Sequence, residues 1–246
     1  IITAYKVALG RQVGSRTLPE TCTLAMYREE PEEKIYLRNT TIQLSRRYDP
    51  SPPNEVLPAI SDLSTFIEKN SNIDILAKAA LAHYQIEAIH PFAYYNGIVG
   101  RIMISMILHN AGYQSASFLC LSQYLYFHTT DYFDLLSKTQ YSGGSHVWIK
   151  FFVKGVHDAA KHAIDQIAEM QQRIAEDEAR IKSYKESTKS TQMVYSYFVH
   201  NLVSEITMMS TALKLSYNTV AKAVNILCHK EIIAQVNNHA RHKVFE

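Results

Sequence analysis

The chain has 246 residues, 47% of them hydrophobic and 20% charged, with a formal net charge of +2 at pH 7. That length can bury one sizeable core and still hold a second small domain. The low counts of Gly (8) and Pro (7) favour helices over an all-β fold, and the near-neutral charge excludes a chain-wide nucleic-acid signal. Cys22, Cys120 and Cys228 are odd in number and far apart. They read as reduced structural thiols in a cytoplasm, not as a metal site or a disulfide framework. No stretch reaches the roughly 18 to 20 continuous apolar residues of a membrane span, and no signal peptide is visible. A cytoplasmic protein without membrane contact is expected.

In chain order, Ile1 to Leu9 reads as the tail of a helix, and Arg11 to Glu33 as a polar loop with Gly14, Pro19 and Pro31. Lys34 to Arg47 (KIYLRNTTIQLSRR) has β-type composition, with Ile35 and Leu37, then Ile42 and Leu44, alternating about an Asn39-Thr40 turn. This predicts a short hairpin over about 34–47. Asp49-Pro50-Ser51-Pro52-Pro53 breaks the chain. Asn54 is then placed to cap a helix through Lys69, with Val56, Leu57, Ile60, Leu63, Phe66 and Ile67 on one face. Asn72 or Asp74 starts the next helix, which carries Leu81, Tyr84, Ile86 and Ile89.

That helix breaks at His90-Pro91-Phe92, and a loop closed by Asn96-Gly97 follows. Beyond it Ile98, Val99, Ile102, Met103, Ile104, Met106, Ile107 and Leu108 make a helix that is apolar on every side. Such a helix is buried. Its N-terminus offers unpaired backbone N–H groups and partial positive charge, so it suits an anion. A histidine just before it stands where a proton can be taken from a nucleophile attacking a bound phosphate. Asn110-Ala111-Gly112-Tyr113 ends the helix, with Gly in a C-cap position.

The run His90-Pro91-Phe92-Ala93-Tyr94-Tyr95-Asn96-Gly97-Ile98-Val99-Gly100-Arg101 resembles the signature loop of Fic-domain proteins, which mostly transfer AMP from ATP to a target hydroxyl. The family pattern is His-Pro-Phe-x-(Asp/Glu)-Gly-Asn-Gly-Arg-x-x-Arg, and the match has no gap. The resemblance makes His90 the general base and Phe92 a buried anchor. It makes Asn96 and Gly97 the phosphate-cradling loop, and Arg101 the second, phosphate-binding arginine. Three positions depart. Tyr94 stands where a carboxylate would hold Mg²⁺, Tyr95 replaces a glycine and Ile98 replaces the first arginine. Transfer of this kind rests on positioning and charge neutralisation, so these losses bear directly on catalysis. No side chain of the loop can fix the metal, and half of the cationic clamp is gone.

The resemblance extends outward. Met26-Tyr27-Arg28 is similar to a Tyr/Phe-Arg step ahead of the Fic core. The hairpin corresponds to the flap, which clamps the target segment by main-chain pairing through Tyr36, Leu37, Thr41 and Ile42. Leu121 to Tyr124, Asp131 to Leu136 and Val147 to Phe152 continue the pattern to about residue 160. Tyr124 and Tyr132 fall near the family's nucleotide-base position, but their helical spacing reads as plain core. Family members are often held off by an inhibitory helix carrying Ser/Thr-x-x-x-Glu-Gly/Asn. No such stretch occurs in residues 1–33 or near the C-terminus, so regulation of that type is expected from upstream of Ile1 or from a partner chain.

From Val156 to Tyr184 a long helix carries Ile167, Met170, Ile174, Ile181 and Tyr184 at steps of three and four, too briefly for a coiled coil. Packing against a neighbouring domain is expected. Beyond a polar linker at 187–191, two amphipathic helices flank a Leu215-Ser216-Tyr217 turn. Asn218 is read as the cap of the second, and Val220, Ala223, Val224 and Leu227 as its inner face. Ile232 to Val236 and Lys243 to Phe245 flank Asn237-Asn238-His239 as a hairpin wing. This resembles a winged helix, which Fic proteins often carry C-terminally. Asn218, Thr219, Lys222 and Arg241 are its candidate DNA contacts. From Lys185 onward seven Lys or Arg stand against four Glu, a modest cationic excess. Such domains also serve protein contacts and homodimers.

No HExxH spacing, P-loop or dinucleotide glycine fingerprint is present, and His83 with His90 lacks a third metal ligand. The expectation is therefore an all-α, Fic-fold helical bundle over 1–184 (loop 90–101, flap about 34–47) with a winged helix-turn-helix over 185–246. It implies a bacterial, cytoplasmic protein adenylyltransferase using ATP and Mg²⁺ on a protein Ser, Thr or Tyr, with no metal ligand assigned. Its activity is weakened or lost through the three replacements. The alternatives are a pseudoenzyme, or a DNA-binding regulator whose output is the winged helix.

Overall fold

The computed structural model describes Tyr27, the backbone of 35–36 and 46–48, and residues 49–69, 72–237 and 243–246. The fold is all-α, as expected, with two small two-stranded sheets among the described residues. Contacts divide the chain into two compact units, the first ending at Ile164 and the second running Asp165–Glu246.

In the first unit β1 (Ile35–Tyr36) pairs antiparallel with β2 (Arg46–Tyr48), so an antiparallel pair stands where the flap hairpin is expected. Its predicted turn at Asn39-Thr40, and Leu37, Thr41 and Ile42, lie outside the described residues. Just after β2, Asp49 is anchored by Gln140. The Asp49 N–H donates to Gln140 Oε1 at 3.0 Å, and Gln140 Nε2 donates to the Asp49 carbonyl at 2.6 Å.

Helix α1 (Pro53–Glu68) starts directly from Pro52, with Pro53 at its first position and no side-chain cap, so Asn54 does not cap it. Proline there has φ preset and no N–H to satisfy, so the helix starts at Pro53 with Asn54 already inside its first turn. Helix α2 (Ile75–Ile89) is capped by Asp74, whose Oδ1 accepts from the N–H groups of Leu76 and Ala77. Helix α3 (Asn96–Asn110) is buried along Val99, Met103, Ile104, Ile107 and Leu108, as its all-round apolar sequence requires. It ends in a paired return: the Tyr113 N–H reaches the Leu108 carbonyl and the Gly112 N–H the His109 carbonyl, with Gly112 at φ +96°. That conformation is the reason a glycine stands there.

A 3-10 turn (Gln114–Phe118), α4 (Leu121–Phe127), α5 (Thr129–Ser142) and the first part of α6 (Ser145–Ser183) close the unit. Its centre is aromatic. Trp148 and Phe152 are fully buried with His83, and Tyr124 and Tyr132 are core residues, as their spacing predicts. His83 Nε2 lies 3.1 Å from the Tyr132 hydroxyl, and its ring stacks on Tyr132 and Trp148. Gly100 on α3 leaves room for it, since a Cβ there would sit 2.7 Å from His83 Nδ1. His83 is thus a core histidine.

Burial, and then the positive charge of Arg101, push the His83 pKa from its ordinary 6.5 down to about 3. Between those values the unfolded chain binds a proton that the folded chain refuses. Stability from this residue is therefore complete above pH 6.5 and falls as pH drops towards about 3. We expect the unfolding free energy to decline there by up to about 1.4 kcal/mol per pH unit. Urea titrations of wild type and His83→Gln at pH 5 and pH 7 check this. An unchanged pH dependence in the variant would refute it.

In the second unit, Ile174 and Ile181 of α6 and Tyr184 just beyond it join the core formed by α7 (Lys189–Asn201), α8 (Ile206–Leu213) and α9 (Tyr217–His229). Ile167 and Met170 do not pack. They are 45% and 58% exposed, so the predicted seam is buried only at its C-terminal end, where α7 and α9 supply partners. The inner face of α9 is as expected: Val220, Ala223, Val224 and Leu227 are buried. Its cap, however, is Ser216, whose Oγ accepts the Thr219 N–H at 3.2 Å, so Asn218 lies inside the first turn. Strand β3 (Ser204–Glu205) pairs with β4 (Val244–Phe245), and Gln235 bridges Phe245 from the other side.

Candidate active site

The site is the loop joining α2 to α3. Its sequence forces a sharp return, and two non-glycine residues take the left-handed region to make it. His90 (φ 49°) ends α2 with its N–H still on the Ile86 carbonyl, and Tyr95 (φ 69°) opens α3. A left-handed backbone favours glycine, which explains physically why Tyr95 looked out of place in the sequence. Between them Phe92 is fully buried, stacked on Tyr27 at 5.7 Å and packed with Val99. It is the anchor that the resemblance assigned.

Asn96 holds the loop shut. It is 2% exposed, its Oδ1 accepts the Phe92 N–H at 2.9 Å, and its Nδ2 donates to the Phe92 carbonyl at 2.7 Å. The same Nδ2 lies 3.1 Å from His90 Nδ1. The two bonds to Phe92 settle the orientation of the amide, so a donor faces His90 Nδ1. The Asn96 side chain is therefore spent within the loop, between the Phe92 backbone and the imidazole.

Among the described residues no side chain caps α3, so its first backbone N–H groups can meet an anion. Gly97 sits in this first turn. Arg101 follows one turn later, on the wall of a cleft of about 790 Å³ that Ile98, Ile102, Ser105 and His109 also line. Where the family pattern has its first arginine, Ile98 packs partly buried beside Phe92 and Val99. Tyr94 is 69% exposed at the lip of the loop, its ring 6.2 Å from that of Tyr95.

Magnesium does not fit these residues. The loop 90–101 contains no Asp or Glu, and no group of three His, Cys, Asp or Glu that could hold a metal occurs among the described residues. A phosphate group does fit, through the α3 N-terminus and Arg101.

One residue near the loop was not singled out from the sequence. Glu87 lies on α2, one turn before His90, and is 4% exposed. A Cβ built on Gly97 would lie 3.1 Å from Arg101 Nη1 and 3.5 Å from Glu87 Oε1. The carboxylate is therefore beside the loop. The available signal was an acid inside the apolar run Ile86 to Ile89.

Residues 17–108 match the Fic/DOC family. The chain carries a Fic/DOC domain. Over 92 residues, 37% of this chain and 29% of the other, it is 29% identical to a probable protein adenylyltransferase of Aquifex aeolicus (strain VF5). Over 86 residues it is also 29% identical to a protein adenylyltransferase of Caenorhabditis elegans, covering 17% of that protein. The chain thus spans less than a third of the length of these relatives. In structure it resembles a Fic family protein from Desulfovibrio desulfuricans G20, with a TM-score of 0.50 and 20% identity over 90% of this chain and 62% of that one. That likeness speaks to the fold alone.

Of the other predicted site residues, Asn218 and Lys222 are exposed on α9. Thr219 is half-buried, with its hydroxyl 2.8 Å from that of Ser216. Arg241 lies outside the described residues. No helix among the described residues is long and apolar enough to cross a membrane.

Proposed function

We propose that this Fic/DOC domain moves AMP from ATP onto a Ser, Thr or Tyr hydroxyl of a protein target, at a rate reduced by Tyr94, Tyr95 and Ile98. The observation that carries this reading is the placement of His90, tethered by Asn96, immediately before an uncapped α3 N-terminus with Arg101 one turn on. The N–H groups around Gly97 and the Arg101 guanidinium hold phosphate oxygens by charge-assisted bonds. The target oxygen attacks the α-phosphorus, its proton passes to the His90 imidazole, and the bond to the β-phosphate breaks, releasing pyrophosphate. The strands at 35–36 and 46–48 support a flap that presents the target segment. No step is assigned to Mg²⁺, for which the loop has no ligand.

The test is transfer of labelled AMP to cellular proteins by wild type and His90→Ala. We expect labelling by wild type and at least about a hundredfold loss in the variant, the scale of a general base. Equal labelling by both would sink the reading.

A second reading draws on the same Asn96–His90 contact. Because the Asn96 nitrogen donates to His90 Nδ1, a neutral His90 carries its proton on Nε2, a form that donates there and cannot accept. This supports a pseudoenzyme that binds without transfer. In that reading the second unit supplies the output. We infer for it a winged helix over 185–246, on the strength of the α8–α9 turn and the strand pairs at 204–205, 235 and 244–245. Its partner is DNA, met through Asn218, Thr219, Lys222 and Arg241, or another protein or a second copy. Salt-dependent DNA binding by the full chain separates these.

A further inference from the structure

We propose that the loop grips a single phosphate of its nucleotide and does so without a divalent cation, so that it binds the nucleoside monophosphate part of ATP and the β- and γ-phosphates add nothing to affinity. This rests on the nucleotide-transfer reading above and narrows the ligand it names. The donors that face the loop can be counted. The Val99 N–H makes the bond that starts α3, to the Tyr95 carbonyl at 2.9 Å. The N–H groups of Asn96, Gly97 and Ile98 precede it, and among the described residues no side chain caps them. The Asn96 amide contributes nothing more, because its nitrogen already faces the Phe92 carbonyl and His90 Nδ1.

Arg101 is the one Lys or Arg in the run 90–101. Its Nη1 reaches back to the same first turn, 3.1 Å from the point where a Gly97 Cβ would stand, in the direction that helix side chains lean. The carboxyl group of Glu87, 3.5 Å from that point, adds no positive charge. A guanidinium and a helix N-terminus together bring about one and a half positive charges, which balances one phosphate and not three. The remaining phosphates of ATP would give up water with no donor of this loop to replace it. The groups that would meet them are those the loop lacks. Tyr94 stands at its lip in place of an acid that could hold a bridging Mg²⁺, and Ile98 packs beside Phe92 and Val99 in place of a cation. For the transfer reading the phosphate held is the α-phosphate, which ATP and AMP share.

The experiment is calorimetry on the full chain with adenosine, AMP and ATP, each in Mg²⁺ and in EDTA. We expect AMP to bind at least about tenfold more tightly than adenosine, the effect of gaining one charge-assisted hydrogen bond. ATP should gain less than that over AMP, and Mg²⁺ should change neither. ATP tighter than AMP by about tenfold or more, a gain of that size with Mg²⁺, adenosine equal to AMP, or no binding of AMP at millimolar concentration would each overturn the proposal.

These titrations use the natural chain, so they do not depend on a variant that folds. Labelling of target proteins decides the transfer reading separately. Labelling together with Mg²⁺-dependent binding of ATP keeps transfer and sinks the single-phosphate site. Equal binding of AMP and ATP without labelling keeps the site and sinks transfer.

Discussion

Trp148→Ala is expected to lower the unfolding free energy by about 3 to 5 kcal/mol, the usual range for emptying a large aromatic site in a core. Trp148 is fully buried, and its ring lies within about 6 Å, centroid to centroid, of His83, Tyr84, Tyr132, Phe151 and Phe152. Its Nε1–H donates to the Ala80 carbonyl at 2.8 Å, which joins α6 to α2. The cavity cannot collapse easily, because its walls are rigid rings carried on three helices, α2, α5 and α6. Trp148→Phe separates the two parts of the loss: it keeps most of the apolar contact, gives up the hydrogen bond and should cost clearly less. Denaturant melts of both variants check the order. A loss below about 1 kcal/mol for the alanine variant would mean that the ring cluster does not hold the unit together. His90 stands at the end of α2, so the same melt also reports on the scaffold of the site.

The scaffold could be read from the sequence because period and punctuation agree there. The apolar runs of α2 and α3, Asp74 before the first of them and Gly112 after the second each specify one local outcome, and the structure adopts it. Tyr124 and Tyr132 were legible as core for the same reason. The misses share a different cause, since each depended on a choice between neighbours that only packing or backbone angles make. Pro53 starts α1 one residue before Asn54, and Ser216 begins α9 before Asn218. The exposed Ile167 and Met170 have the spacing of a buried seam, and no periodicity reveals whether a second surface arrives to cover it.

In the loop, the resemblance names the candidate residues, and the structure adds what each can reach. Tyr95 was recognisable as a residue in a glycine's place, and it does take the left-handed backbone. The resemblance assigns Asn96 to the phosphate-cradling loop. Its carboxamide meets Phe92 and His90, a pairing at four and six residues' separation that spacing alone does not reveal. Glu87 escaped notice because an acid in an amphipathic helix normally marks the solvated face.

These contacts make Asn96→Ala the most damaging single change expected in the site. It leaves the buried Phe92 N–H and carbonyl without the two bonds they make now, at about 1 to 3 kcal/mol for each group so orphaned. It also removes the Asn96 contact from the His90 ring. We expect a stability loss of about 2 to 4 kcal/mol, with loss of whatever transfer or nucleotide binding the wild type shows. Asn96→Asp refines the test. It keeps an acceptor for the Phe92 N–H but sets a second oxygen against the Phe92 carbonyl, which Nδ2 now meets at 2.7 Å. Its melt should therefore be no better than that of the alanine variant, although its shape is closer to the natural residue. If Asn96→Asp melted like wild type, the donor side of the amide would be dispensable. The tether between Phe92 and His90 would then not be what shapes the loop.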